Sequence, residues 1–214
     1  MERIGIIRDE TTAIFNSGFP LIGRRLDLLQ FNKLEAGEWQ WDFSRSSFFG
    51  TDFSQVHLED ADLTMAHLEG AILIGAHLER TSLSWARLAG AKLHGAHLEG
   101  ANLRHAKLKG ADLTFAHLNG SNLLRAHLEG AKLTGADLEG ADLSGAYLER
   151  ADLKGAHLEG AFLHTARLEG ADLHGAVFDD NTQLTDDWDS CTSEDRAAAQ
   201  QKLRDLGARH IDDP

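Results

Sequence analysis

A chain of 214 residues with 42% hydrophobic and 26% charged residues can bury one continuous core and reads as a single soluble unit. Its 34 Asp and Glu against 21 Lys and Arg leave a formal charge of −13, which argues against a surface built for phosphate backbones. One cysteine, Cys191, excludes an internal disulfide, and no apolar run reaches the roughly 18 residues of a membrane span.

Residues 1–40 lack a sustained pattern. Charges flank the short apolar patch Ile4, Ile6 and Ile7, so no signal peptide is expected, and with a lone thiol the expected location is cytoplasmic. Ile4–Ile7 suits a short strand, and the stretch from Leu21 to Leu29 suits either a helical turn or an irregular first coil. The segment is expected to be an N-terminal cap, because the end of a repeat stack exposes unpaired backbone and apolar side chains.

From Trp41 to Asp180 the chain divides into 28 consecutive five-residue blocks without an insertion, each with Leu or Phe at its centre. With that central residue called i, position i−2 is Ala in 22 of the 24 blocks from Ala61 to Ala176, the exceptions being Thr81 and Ser121. A repeat of five excludes an ordinary helix, since at about 100° per residue successive Leu would spread round all sides. It excludes a straight strand too, where an odd repeat throws each Leu to the opposite face from the last. Both objections vanish if the backbone runs extended for about three residues and then turns a corner, so that Ala and Leu always face inward.

The histidines set the number of sides. At i−1, His57, His77, His97, His117 and His157 recur at multiples of twenty, interrupted by Asp137, while the interleaved positions 67, 87, 107, 127, 147 and 167 hold His, Arg, Lys, His, Tyr and Arg. Four blocks therefore make one turn, and the stretch holds about seven coils. Phe43, Phe48 and Phe53, with Trp39 and Trp41, form a broad apolar plug at the first coil. Stacked at about 4.8 Å, seven coils give a rod of roughly 34 Å.

Residues 181–214 read as a C-terminal cap. The register breaks at Gln183, Trp188 follows, and Thr192-Ser-Glu-Asp opens a helix over about 193–206 that Gly207 is placed to stop. Ala199, Leu203 and Leu206 share one face, which with Trp188 either covers the last coil or forms a homodimer contact.

Ala61-Asp-Leu63, Ala101-Asn-Leu103, Ala111-Asp-Leu113 and Ala141-Asp-Leu143 match the motif of the pentapeptide-repeat protein family, and the resemblance covers about two-thirds of the chain. It implies an all-β solenoid, a right-handed quadrilateral β-helix, here with a short C-terminal α-helix. Many such proteins have no known activity, and some resemble nucleic acid in shape and charge and act on DNA gyrase.

The outward residues carry the functional candidates. Glu59, Glu79, Glu99, Glu139 and Glu159 stand at i+1 on the side of the histidine column, so each His is expected near a carboxylate. Protonating that column would weaken repulsion among the stacked acids. A flat ladder offers two imidazoles at a time where structural zinc wants four ligands, so no metal or cofactor is expected. Ser, His and Asp abound, but no base is singled out on an open convex surface, and no enzymatic activity is expected. One corner stacks Arg45, Met65, Trp85, His105 and Arg125, and Ile72 and Ile74 project from another side, a contact patch for a protein.

These features favour a non-enzymatic, rod-like protein–protein interaction scaffold, with no direct nucleic-acid or membrane binding. The alternative is a DNA mimic acting on gyrase. Residues 41–180 hold 12 Lys and Arg against 20 Asp and Glu, a net −8. Over the rod that is about one net charge per 4 Å, where duplex DNA carries one per about 1.7 Å.

Overall fold

The computed structural model describes residues 43–184 and 193–213. The expected N-terminal cap, Trp39, Trp41, Trp188 and Cys191 lie outside the described residues, as does the side chain of Ala199.

Four ladders of parallel bridges run the length of the repeat, each joining a residue to the one twenty positions on: Ser47 to His67, Asp52 to Ile72, His57 to His77, Asp62 to Ser82, and onward. The chain is thus a four-sided coil. Face 1 carries residues 47 to 167, face 2 residues 52 to 172, face 3 residues 57 to 177 and face 4 residues 62 to 162. Each block gives its neighbours short backbone bonds, such as Leu63 N–H to Ser82 O at 2.7 Å and Ser82 N–H to Ala61 O at 2.9 Å. The i−2 and i side chains are buried almost throughout, forming one column of Ala and Leu. Phe43, Phe48 and Phe53 are buried and meet edge to face with centroids 5.9 and 5.0 Å apart, a wider filling than Leu gives.

The corners explain the five-residue period. In every block from Phe43 to Leu173 the amide three residues after the centre returns to the central carbonyl, as Ala66 N–H does to Leu63 O at 3.0 Å. The residue before that amide has positive φ, as at Met65 (58°) and Gly70 (65°), the form of a type II turn. Glycine fills most corners because it adopts this region without steric cost. Gly135 has a second reason, since a Cβ there would stand 2.4 Å from the Phe115 ring leaning over it from the coil before. Asp or Asn at i−1 supports the bend by accepting from the i+1 amide, as Asp62 Oδ1 does from Thr64 N–H at 2.8 Å and Asn122 Oδ1 from Leu124 N–H at 3.0 Å. Thr81, the larger of the two exceptions at i−2, satisfies its buried hydroxyl by donating to Leu58 O at 2.7 Å.

The register breaks by one inserted residue: Phe162 pairs with Gln183, twenty-one positions on. Asp179 stitches the bulge, its Oδ1 accepting from Gly160 N–H, Asn181 N–H and the Thr182 hydroxyl at 2.8, 3.1 and 3.0 Å. Burial pushes that carboxyl up, and these hydrogen bonds outweigh it, leaving it below the usual range.

Strand β1 (Val177–Phe178) is followed by helix α1 (Ser193–Asp205) and strand β2 (Arg209–His210), and β2 pairs parallel with β1, Val177 opposite Arg209 and Phe178 opposite His210. α1 ends in a Schellman arrangement: Gly207, with φ of 95°, donates to Arg204 O, and Ala208 N–H reaches Leu203 O at 3.1 Å. Leu203 is fully buried, and Leu206 is half-buried against the core. Ala208 takes the inward Ala position and His210 the inward Leu position. His210 meets Phe178 edge to face at 5.3 Å, while its Nε2 lies 3.2 Å from Asp180 Oδ1. The polar end of the imidazole thus closes the core where it meets solvent. The sequence-based reading of the C-terminus contained neither β2 nor this partial eighth layer.

Candidate functional site

Because coils stack in register, outward residues form columns whose chemistry is set by residues twenty apart. On face 3, His57, His77, His97 and His117 are stacked rings with centroids 4.3, 4.6 and 4.7 Å apart and planes within 5° of parallel. Nδ1 of His57, His77, His97 and His157 lies 2.9, 3.2, 3.4 and 3.4 Å from Oε1 of Glu59, Glu79, Glu99 and Glu159 respectively. His117 departs from the expectation that each imidazole has a carboxylate: Asn119 stands two residues on, and the ring makes no ion pair among the described residues. Glu139 pairs with no histidine among the described residues; its amide donates to Asp137 at 3.1 Å, so the column is interrupted there.

The second oxygens of Glu79, Glu99 and Glu159 are buried with no hydrogen-bond partner among the described residues, since each carboxylate is flanked by the coils on either side. Burial raises the Glu59 carboxyl, and the His57 hydrogen bond, a backbone hydrogen bond and the nearby His57 and His77 together outweigh it, holding it below its ordinary value. His57, Glu59 and His77 place ligand atoms within 4.8 Å of one another, as do His77, Glu79 and His97. The lone pairs of parallel imidazoles run parallel in their ring planes and do not converge on one ion, and each Nδ1 already faces its own carboxylate.

Face 1 repeats the theme with different residues. His127 stacks on Tyr147 at 4.5 Å, Arg167 lies over the Tyr147 ring at 5.2 Å, and Arg87 and Arg167 bond Glu69 and Glu149 at 2.6 and 2.8 Å. A shallow open depression lined by Lys109, Glu129, Glu149, Arg150 and Glu169 lies beside it.

The apolar candidates are separated by the fold. Met65 and Trp85 (41% and 49% exposed) share the corner between faces 4 and 1, where Trp85 stacks on His105 at 4.2 Å. Ile72 and Ile74 lie on face 2, Ile72 half-buried and Ile74 39% exposed. The sequence reading missed Phe115, 57% exposed at the corner between faces 2 and 3, though its break in a column of glycines was a visible signal. Leu203 and Leu206, candidates for a cap or a dimer contact, pack within the chain.

The pH response of stability follows from the carboxylates. The Arg80 guanidinium, bonded to Asp60 at 2.7 and 2.6 Å, holds that carboxyl below its ordinary range, and Lys154 at 2.9 Å does the same for Asp172. For Asp112, burial pushes up while hydrogen bonds from Thr114 and the charge of Lys132 pull further down. Groups depressed in the folded state contribute stability above their unfolded pKa and lose it as pH falls through the folded value. The melting temperature should therefore decline as pH is lowered through and below the ordinary carboxylate values of 4.5 and 3.8, read by circular dichroism melts. A melting temperature that rises over that interval would contradict the assignment.

The chain belongs to the pentapeptide-repeat family: the family described as "Pentapeptide repeats" matches eight copies over residues 42–80, 81–114, 111–150 and 146–180. Among solved structures it is similar to HetL, a pentapeptide repeat protein involved in heterocyst differentiation regulation in Nostoc sp. strain PCC 7120, at 36% identity over 64% of this chain and 76% of that one, with a TM-score of 0.31. It is similar to Rfr23 of Cyanothece 51142 at 38% identity over 46% of this chain and 63% of that one, TM-score 0.29. QnrB1, a plasmid-mediated fluoroquinolone resistance protein, aligns at 17% identity over 86% of this chain and 95% of that one, TM-score 0.38, a level from which no role transfers. A comparison with curated proteins gave no match.

Proposed function

We propose that this protein is a non-enzymatic interaction scaffold, a stiff rod, wound right-handed as family membership implies, whose outward columns engage a protein partner. The observation that carries this reading is the contrast between a closed interior and its large exposed apolar side chains. The inward positions are filled by Ala, Leu and Phe, leaving chemistry to convex faces, while Trp85, Phe115, Met65 and Ile74 are held in solvent on a rigid frame. Immobilised full-length protein should retain a specific partner that a Trp85→Ala/Phe115→Ala double variant, folded by circular dichroism, retains about tenfold less well. Equal retention by both would defeat the reading.

A DNA mimic acting on gyrase is the second reading, favoured by the unbroken Glu59–Glu79–Glu99 stack on face 3. A supercoiling assay with and without fluoroquinolone separates the two. Protection or inhibition at micromolar protein supports mimicry, and the absence of both removes it.

A further inference from the structure

Across the corner between faces 4 and 1, residues 81–90 and 101–110 contain no Asp or Glu and residues 121–130 contain only Glu129, at the far edge beside Lys109, although the whole chain carries a net −13. The same window holds Arg87, Arg104, Lys107, Lys109 and Arg125. These segments are stacked directly on one another, as the bridges Ser82 to Asn102 to Asn122 and Arg87 to Lys107 to His127 show. Sequence order hides the patch, because face 2 and face 3 residues, several of them acidic, intervene between its rows.

Several cations elsewhere on the rod meet a carboxylate one coil away: Arg80 bonds Asp60, Lys132 lies 3.6 Å from Asp112, and Lys154 bonds Asp172 at 2.9 Å. Within the patch Arg87 alone is so matched, to Glu69 on its edge. Arg104, Lys107, Lys109 and Arg125 are exposed and make no ion pair among the described residues. Rows about 4.8 Å apart hold these like charges near one another on a frame that does not yield. His105 feels the result: burial lowers its pKa first, and the charges of Arg104 and Arg125 lower it further.

We propose that this corner docks an acidic segment of a protein partner, its carboxylates on Arg104, Lys107, Lys109 and Arg125 and an apolar side chain against Met65 and Trp85. The inference rests on the scaffold reading and gives the partner its chemistry. Two observations favour a protein over a nucleic acid. Stacking on His105 covers one face of the Trp85 ring and so closes that face to a stacking base, while the exposed ring beside Met65 suits an aliphatic contact. The patch is also an island on a strongly acidic molecule, which repels a long polyanion while a short segment fits within three rows, about 10 Å.

The test is fluorescence anisotropy with the full-length chain and a labelled peptide of about ten residues, Glu and Asp around a central Leu-Trp. Its Gln/Asn analogue and an oligo-dT strand serve as comparison probes. The acidic peptide should bind more tightly than either and weaken with salt. Arg104→Glu/Lys107→Glu and Trp85→Ala should each reduce binding about tenfold or more, with Lys132→Glu on face 2 within about twofold of the parent. Exposed side chains are changed throughout, and unaltered melts establish that each variant is folded. No binding, equal binding by the charge-reversed variant, or tighter patch-dependent binding of oligo-dT would overturn the proposal. If the peptide fails while partner capture still depends on Trp85 and Phe115, the acidic-segment assignment falls and the scaffold reading stands.

Discussion

Leu113→Ala is expected to lower unfolding free energy by about 2–5 kcal/mol, the range for truncating a fully buried Leu. The site lies mid-rod with no exposure, between the coils that carry Leu93 and Leu133. Its walls cannot close on the cavity, because backbone bonds fix the coil spacing on both sides: Leu113 N–H to Lys132 O at 2.7 Å and Asp112 N–H to Ala91 O at 2.9 Å. The loss should therefore fall toward the upper part of that range. Neighbouring coils depend on this one for their own burial, so damage propagates along a quasi-linear stack. Urea titration followed by circular dichroism reads the effect, with exposed Lys109→Ala as a control expected within about 0.5 kcal/mol of the parent. A Leu113→Ala cost as small as the control's would mean that the interior is not packed as described.

Leu203→Asp is expected to be as damaging at the end of the rod. Leu203 is a fully buried apolar side chain with which α1 packs on the last coil, and a carboxylate there loses that burial. The cost should be at least about 2–5 kcal/mol by the same truncation argument. A second consequence follows from topology. When α1 lifts, β2 leaves β1, and the bonds from Arg209 N–H to Ala176 O and from Ile211 N–H to Phe178 O are broken. The exposed edge and the uncovered Phe178 ring are a template for pairing with another rod. A lower melting temperature should therefore come with a concentration-dependent rise in size by light scattering. An unchanged melt with unchanged size would show that the helix is not a structural cap.

Much of this is legible in the amino-acid sequence. The five-residue period required a bend after each short extended piece, and the twenty-residue recurrence of His57, His77 and His97 gave four sides. The His–Glu neighbours on face 3 and the Met65–Trp85–His105 corner were visible for the same reason: in a translational repeat, residues twenty apart are neighbours in space. Phe115 and the acid-poor patch were written in the same columns but are weak signals when the chain is scanned linearly, because the residues of other sides separate each row from the next.

The sequence by itself therefore determined the interior: which residues face inward, how many make a turn, and which outward residues stack. Periodicity is a local rule repeated, and no distant contact is needed to enforce it. Only the tertiary structure decided the C-terminal end, where β2 returns after α1 to pair with β1 and His210 takes a position that Leu holds elsewhere. A cap breaks the repeat by necessity, since it must satisfy backbone groups and apolar surface on one side and water on the other, and that partnership joins residues about thirty apart with no shared period. The parallel set of the histidine rings was likewise decided by packing between coils.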